Sequence, residues 1–358
     1  MNINPIFWKD KTVFVTGHTG FKGAWLCLWL QSLGARVTGY ALKPATEPSL
    51  FELAGVAGGM NSHIGDIRDF DALQSVMSNS KPDIVLHLAA QALVRYSYVH
   101  PLETYETNVM GTAHVLEAAR HIPSVRSIVV VTSDKCYENR ERERGYVETD
   151  AMGGHDPYSS SKGCSELVAA AYRNSFFSGS DSAAALASAR AGNVIGGGDW
   201  ALDRIVPDAM RAFMKGEPLK LRHPGAVRPW QHVLEPLHGY LLLAERLFNE
   251  GRTFAEGWNF GPDDESSQPV GWIVSRMEKI WGGGVCSEVA PDACAEKFHE
   301  AKLLRLDCAK AAQRLDWHPK LTMEKTLEWT VAWYRRFQTS KTLREFTMQQ
   351  ITDYEALP

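Results

Sequence analysis

The stretch VTGHTGFKG constrains this chain more than any other. It sets Gly17, Gly20 and Gly23 between the apolar, β-branched run Thr12-Val-Phe-Val-Thr and the apolar residues 21 to 33. The first run reads as a buried strand, the second as a helix closed by Gly34. A strand that turns through glycines into a helix lets the backbone approach a phosphate closely. It also points free N–H groups and the positive end of the helix dipole at that phosphate. The spacing is G-x-x-G-x-x-G rather than G-x-G-x-x-G, but the mechanics are the same. A strand before and a helix after favour a dinucleotide cradle over a plain βα turn. Gly17, Thr19, Gly20, Phe21, Lys22 and Gly23 are the candidate contacts.

Further strands are expected at 36–42, 83–88, 127–131 and 183–190, with helices at 69–79, 101–120 and 157–173. Alternating β and α with short links predicts an α/β, doubly wound parallel sheet over residues 1–191. From Gly192 onward, glycines and prolines break the chain into shorter pieces. A smaller substrate lobe is expected over 192–358, with the chain free to cross between lobes. Its helices are expected at 233–250, 269–281, 307–315 and 322–337. The charge run 138–144 (ENRERER) reads as a solvated loop or lid. A net charge of -4 argues against a basic nucleic-acid surface. The six cysteines include no C-x-x-C pair, so no metal site is expected, and scattered thiols suit a reducing cytosol. Neither a signal peptide nor a run of 18 apolar residues is found, so no membrane span is expected.

The strand at 127–131 empties into Thr132, Ser133, Asp134 and Lys135. Downstream, DPYSSSKG sets Tyr158 and Lys162 four apart, on one face of a helix. A tyrosine titrates near ~10. A lysine charge beside it is expected to lower that value and so fit the phenol for base catalysis near neutral pH. The second strand runs Gly39-Tyr-Ala-Leu-Lys-Pro, without the acid that binds an NAD ribose. Lys43 suits a 2′-phosphate, so NAD and NADP both stay open. Asp66 is a candidate either for the adenine amino group or for a helix N-cap.

With TGxxGxxG near the start, a serine at a strand end, and YxxxK, the chain resembles the extended short-chain dehydrogenase/reductase family over nearly its whole length. That resemblance implies a Rossmann domain retaining a nicotinamide cofactor, and a lobe binding a nucleotide sugar. It implies that Ser133 polarises the sugar C4 oxygen and Tyr158 removes its proton, while Lys162 supports the tyrosine and binds ribose. Asp66, Ile67, Leu88, Ala89, Ala90, Gln91 and Thr132 join the implied cofactor contacts. Gln91, Arg95, Ser133, Asp134, Asn193, Arg204 and Arg228 are the implied substrate contacts, with Arg190 at a further matching point. Arg228 is the first candidate for the pyrophosphate, since arginine forks suit it. Asn108 matches a position that supports the site. Trp200 and Trp230 read as sugar-packing or core residues, His87 and His232 as structural. A homodimer through helices 101–120 and 157–173, or a homotetramer built from such dimers, is implied in the same way.

Within the family, sugar-nucleotide 4,6-dehydratases carry Asp-Glu after the strand-end hydroxyl. Here Asp134 is kept and Lys135 stands in place of the glutamate. HTGFKG, YSSSKG, GNVIGGGDW and RPWQHVLEPL are similar to the branch acting on a CDP-linked glucose. Oxidation at C4 acidifies C5–H, and the C6 hydroxyl is a poor leaving group. Asp134 is therefore the candidate general acid, its proton retained by burial. Lys135 reads as the C5 base, as a charged helper, or as a surface partner of Glu138. A 4-epimerase shares Ser133, Tyr158 and Lys162 but needs no acid at 134. A non-catalytic dinucleotide sensor would ordinarily lack the Tyr-Lys pair.

Overall fold

The computed structural model describes residues 1–179, 184–289, 304–340 and 342–358. The first six strands are β1 (Thr12–Thr16), β2 (Arg36–Ala41), β3 (Asn61–Ile64), β4 (Ile84–His87), β5 (Ser127–Val131) and β6 (Ala185–Ala191). After β7 (Asn193–Ile195), β8 (Leu219–Leu221) and β9 (Val227–His232), the chain returns as β10 (Gly257–Phe260). The main sheet runs in the order β10-β6-β5-β4-β1-β2-β3, every pair parallel. β4, β5 and β6 are buried along their whole length, which is why they read as near-continuous small and apolar runs. The order reverses between β1 and β4, so the crevice at their carboxyl ends is where such sheets bind ligands. The predicted strand at 183–190 begins at Ala185; residue 183 lies outside the described residues.

Helix Phe21–Ser32 is buried from Gly23 through Leu30. A helix apolar all round needs cover on every side. Helix Leu234–Glu250 packs against it, as does the C-terminal helix Arg344–Glu355, which the sequence pattern did not suggest. Trp29 Nε1 donates to Glu355 Oε1 at 2.7 Å, and its ring meets Tyr354 edge-on at 5.6 Å. Helix Arg344–Glu355 is polar over most of its length and its N-cap makes no side-chain hydrogen bond, so no start signal marks it.

The expected helix at 101–120 forms, but with one wide turn. Residues Pro101–Tyr105 and Gly111–Arg120 are α-helical, and Glu106–Met110 between them form a π-turn. Such turns occur frequently at functional sites. Beyond residue 192, β7, β9 and β11 (Ser267–Pro269) make one small sheet, and β8 pairs with β12 (Ser287–Val289). Helix Ile205–Lys215, also not anticipated, ends at Gly216 with φ +69°. The helices expected at 233–250, 269–281, 307–315 and 322–337 form as Leu234–Glu250, Val270–Trp281, Ala309–Leu315 and Met323–Thr339, and residues 138–144 form a loop. Among the described residues no helix is long and apolar enough to cross a membrane. Cys27, Cys136, Cys164, Cys286 and Cys308 are free thiols, and Cys294 lies outside the described residues.

Candidate active site

Each glycine of the first turn has its own reason. Gly17 has φ +77°, and a Cβ there would stand 2.7 Å from Ala89 N at the β4 exit. At Gly23 a Cβ would stand 2.1 Å from Gly17 O, so the helix could not sit down on its own turn. Around Gly20 the nearest atom to such a Cβ is 3.4 Å away, leaving the backbone open. Gly20 caps helix Phe21–Ser32 without a side-chain hydrogen bond, so the first-turn N–H groups face the crevice. The turn therefore fits a dinucleotide diphosphate. Thr16 Oγ1 ties it to β4 by accepting from Leu88 N and Ala89 N, each at 3.2 Å.

At the far side, β5 ends in Thr132, whose amide continues the ladder to Ala189 O at 2.9 Å. Ser133 then caps a 3-10 turn, Asp134–Cys136, accepting from Lys135 N at 3.2 Å. The Ser133 hydroxyl donates to Asp134 Oδ1 at 2.9 Å. Asp134 is 2% exposed, and its Oδ2 is buried with no hydrogen-bond partner among the described residues. A Cβ on Gly192 would stand 2.9 Å from that oxygen, so only glycine leaves it clear.

Helix Pro157–Phe176 supplies the other half. Asp156 caps it through Ser159 N at 2.9 Å, and proline takes the first helical position. That start puts Tyr158 in the first turn and Lys162 one turn on, both buried. Burial pushes the Tyr158 phenol up to about 12, with Asp134 and Asp156 adding to the rise and a hydrogen bond with Ser133 and the charge of Arg204 opposing it. The direction is opposite to the lowering expected from Lys162, because desolvation is the largest influence on the phenol. Lys162 itself is pushed down to about 8 by burial, with Cys136 and Glu166 opposing.

Lys22 turns out to belong here as well as to the glycine turn. Burial pushes its amine down to about 7, helped by the charges of Arg204 and Lys162 and opposed by Asp134 and Asp199. Asp199 is buried and holds Arg204 Nη1 through Oδ2 at 3.2 Å. Ser133, Asp134, Tyr158, Lys162, Lys22 and Arg204 thus share one field of charge, gathered from both parts of the chain.

Asn108 braces this arrangement from the π-turn. Its Oδ1 accepts from Gln91 N at 2.8 Å, and its Nδ2 donates to Gln91 O at 3.0 Å and to Ser161 Oγ at 2.8 Å. His87 sits behind it between Thr16 Oγ1 (2.7 Å) and Thr112 Oγ1 (3.1 Å), pushed down to about 3 by burial. His232 is also buried, and Leu234 N donates to its Nδ1 at 3.3 Å.

Several expected contacts face elsewhere. Arg190 is buried against Glu166 (2.8 Å) and Tyr137 OH (2.6 Å), so its guanidinium is closed to a diphosphate. Glu166 also accepts from Thr132 Oγ1 at 2.5 Å and Ser188 Oγ at 2.6 Å. The Thr132 hydroxyl is therefore committed to the core. Burial pushes the Glu166 carboxyl up, but Arg190 and these donors more than offset it, leaving it below its ordinary range. The Gln91 amide folds into its own loop, donating to Leu93 O at 3.1 Å and Thr104 Oγ1 at 3.0 Å. Asp66 is not a helix cap: Asp69 caps Phe70–Ser80, and Asp66 Oδ2 binds Arg68 Nη2 at 2.6 Å. Ile67 is buried in the core with its carbonyl bonded to His114 Nδ1 at 2.9 Å. Glu138 pairs with Arg140 at 2.7 Å, and the Lys135–Glu138 bridge does not form. Trp200 packs on Tyr334 and Phe337, and Trp230 donates to Gln268 O at 3.1 Å; both are buried core residues. Asn193, half-buried on β7, lies opposite Trp230, and Arg228 Nη1 donates to Val227 O at 2.9 Å. Arg95, half-buried, meets Asp203, a residue with no sequence signal for a role.

The profile of the family described as GDP-mannose 4,6 dehydratase matches residues 14–330. Over 355 residues the chain is 51% identical to a CDP-glucose 4,6-dehydratase of Salmonella typhimurium, covering 98% of each. A UDP-glucose-4-epimerase of Stenotrophomonas maltophila with bound NAD superposes with TM-score 0.79 at 21% identity, over 92% of this chain and 99% of that one. A dTDP-glucose 4,6-dehydratase of Streptomyces venezuelae with NAD and TYD bound gives 0.76 at 23%, over 91% and 98%. Those two likenesses establish the Rossmann fold.

Proposed function

This chain belongs to the GDP-mannose 4,6 dehydratase family, and from that membership we propose that it is a CDP-glucose 4,6-dehydratase using NAD. It converts CDP-D-glucose to CDP-4-keto-6-deoxy-D-glucose and water, a hydro-lyase reaction that feeds deoxysugar assembly such as that of O-antigen. The observation that carries this reading is Asp134, a buried carboxyl one residue past the shared Ser133, with one oxygen bonded to Ser133 and the other free of protein partners among the described residues. An epimerase has no use for it.

Gly17, Gly20, Gly23 and the first-turn amides would hold the diphosphate of NAD, and Lys162 its nicotinamide ribose; when bound, NAD would supply a hydride acceptor at the sugar C4 and a donor at C6, keeping the reaction redox-neutral overall. Ser133 holds the C4 hydroxyl, and Tyr158 takes its proton. Once C4 is a ketone, the C5 proton is acidic. Asp134 then protonates O6, so that water rather than hydroxide leaves. Lys135, beside Asp134, meets the C5 proton or the enolate left behind. Arg204 and Arg228 neutralise the substrate diphosphate. NADP is not shut out by charge, because β2 ends at Ala41 and is followed by Leu42 and Lys43, with no acid.

The test is turnover of CDP-glucose by enzyme supplied with NAD, beside UDP-, dTDP- and GDP-glucose. The expected result is a 4-keto-6-deoxy product, seen by its alkaline absorbance, with CDP-glucose the best substrate. Formation of a C4 epimer without that product overturns the dehydratase reading.

We place the enzyme in the cytoplasm, as free thiols suit, and as a homodimer or a tetramer of such dimers. Leu102 is 77% and Leu167 60% exposed on the helical face expected to pair, a costly display unless it is covered. Leu167→Arg is expected to shift the sedimentation coefficient to that of a monomer. An unchanged value places the contact elsewhere.

A further inference from the structure

One buried ion pair reaches both ends of the turn that carries Ser133, Asp134 and Lys135. Glu166 lies one helical turn beyond Lys162 on helix Pro157–Phe176, and Arg190 lies on β6. Their side chains are 4% and 5% exposed and meet at 2.8 Å. Ahead of the turn, Thr132 Oγ1 donates to Glu166 Oε1 at 2.5 Å. Behind it, Arg190 Nη1 donates to Tyr137 OH at 2.6 Å, and its guanidinium carbon stands 5.0 Å from the centre of the Tyr137 ring. The Tyr137 hydroxyl donates in turn to Asn259 Oδ1 at 2.8 Å. Ser188 Oγ, also on β6, donates to Glu166 Oε2 at 2.6 Å. Gly257 on the neighbouring β10 leaves room for the pair, since a Cβ there would stand 2.4 Å from Arg190 Nη2.

We infer that Glu166 and Arg190 are positioning residues, which clamp the segment Thr132–Tyr137 at both ends and so set where Ser133, Asp134 and Lys135 meet the sugar. The inference rests on the reading of those three residues given above. The turn needs an outside hold, because the bonds that close it are long. Cys136 N reaches Ser133 O at 3.2 Å, and Tyr137 N reaches Asp134 O at 3.4 Å. Hydrogen-bond geometry in a 3-10 turn is poorer than in an α-helix. The hydrogen bonds of the clamp are short and assisted by charge, which makes them the stronger set. Both anchors end on one ion pair, so a shift at one flank of the turn is carried to the other through Glu166 and Arg190. Glu166 and Cys136 also oppose the lowering that burial imposes on Lys162, so the clamp supports the charge beside Tyr158 as well.

The test pairs amide hydrogen exchange over residues 133–137 with turnover of CDP-glucose by NAD-saturated enzyme. Thr132→Val removes the donor to Glu166, and Tyr137→Phe removes the hydroxyl held by Arg190, while the ion pair itself stays. Each is expected to speed exchange of the Cys136 and Tyr137 amides, and to lower kcat about tenfold with KM within about twofold. Thr132→Ser keeps the donor and should restore kcat. The double variant should lose far less than the product of the two single losses, because both act through one clamp. Exchange at the wild-type rate overturns the clamp, as do faster exchange with wild-type kcat and two losses that multiply. Should the double variant not fold, the serine variant decides, and a kcat as low as that of the valine variant overturns the clamp. Exchange is read without substrate. A wild-type enzyme that does not turn over CDP-glucose, with exchange responding as expected, supports the hold on the turn and counts against the CDP-glucose reading alone.

Discussion

Exchanging Tyr158 for Phe is expected to lower kcat by about 10²- to 10⁴-fold, the range for loss of a positioned proton-transfer group. KM should move little, because the ring keeps its packing and the backbone amide keeps its bond to Ser97 Oγ at 3.1 Å. The pH profile carries the sharper signature. With the phenol near 12, its ionised form is scarce at neutral pH and grows as pH rises. Lys162, near 8, carries its charge below that value and loses it above. The logarithm of kcat/KM is therefore expected to climb with a slope of about one below pH 8 and to break near 8. Lys162→Met should remove the break. A phenylalanine variant turning over at the wild-type rate excludes Tyr158 as the base.

Asp134→Asn should separate the two halves of the reaction. Asparagine keeps the shape and can still accept from Ser133, but it has no proton to give the departing hydroxyl. Oxidation at C4 is expected to continue, seen as the near-ultraviolet absorbance of reduced nicotinamide on adding CDP-glucose. Release of the 4-keto-6-deoxy product should fall by about 10²- to 10⁴-fold, roughly 3–5 kcal/mol of barrier. Unimpaired product formation removes Asp134 from the role of acid. Impaired oxidation instead of elimination would mean that Asp134 serves Ser133, to which it is bonded.

Much of this site is local and therefore legible in the chain. Strand, glycine turn and helix follow one another within 21 residues from Thr12 to Ser32, and the Tyr158–Lys162 spacing is one helical turn. Asp134 is adjacent to Ser133 in the chain itself. The π-turn was not legible, because it accompanies an Asn108 side chain clasping Gln91, 17 residues back, and Ser161, 53 residues on. Arginines show the same limit. Arg190, Arg204 and Arg222 carry the same side chain, yet one is closed off by Glu166, one is held by Asp199 into the field of Tyr158, and one meets Asp203. Nothing in their immediate neighbours distinguishes them.

By itself the sequence determined the order of elements, the glycine turn that fits a dinucleotide, and the identity of the hydroxyl, phenol, amine and carboxyl proposed to meet the sugar. Periodicity and short spacing encode geometry within a turn or a strand, and these features need no more than that. Only the tertiary structure decided the charge state of the phenol, the presence of Lys22 at the reacting end, and the pairing of Arg95 with Asp203. Desolvation depends on how completely distant segments enclose a group, and a field is the sum over every charge they bring. The Tyr158 phenol therefore stands near 12 despite a lysine one turn away.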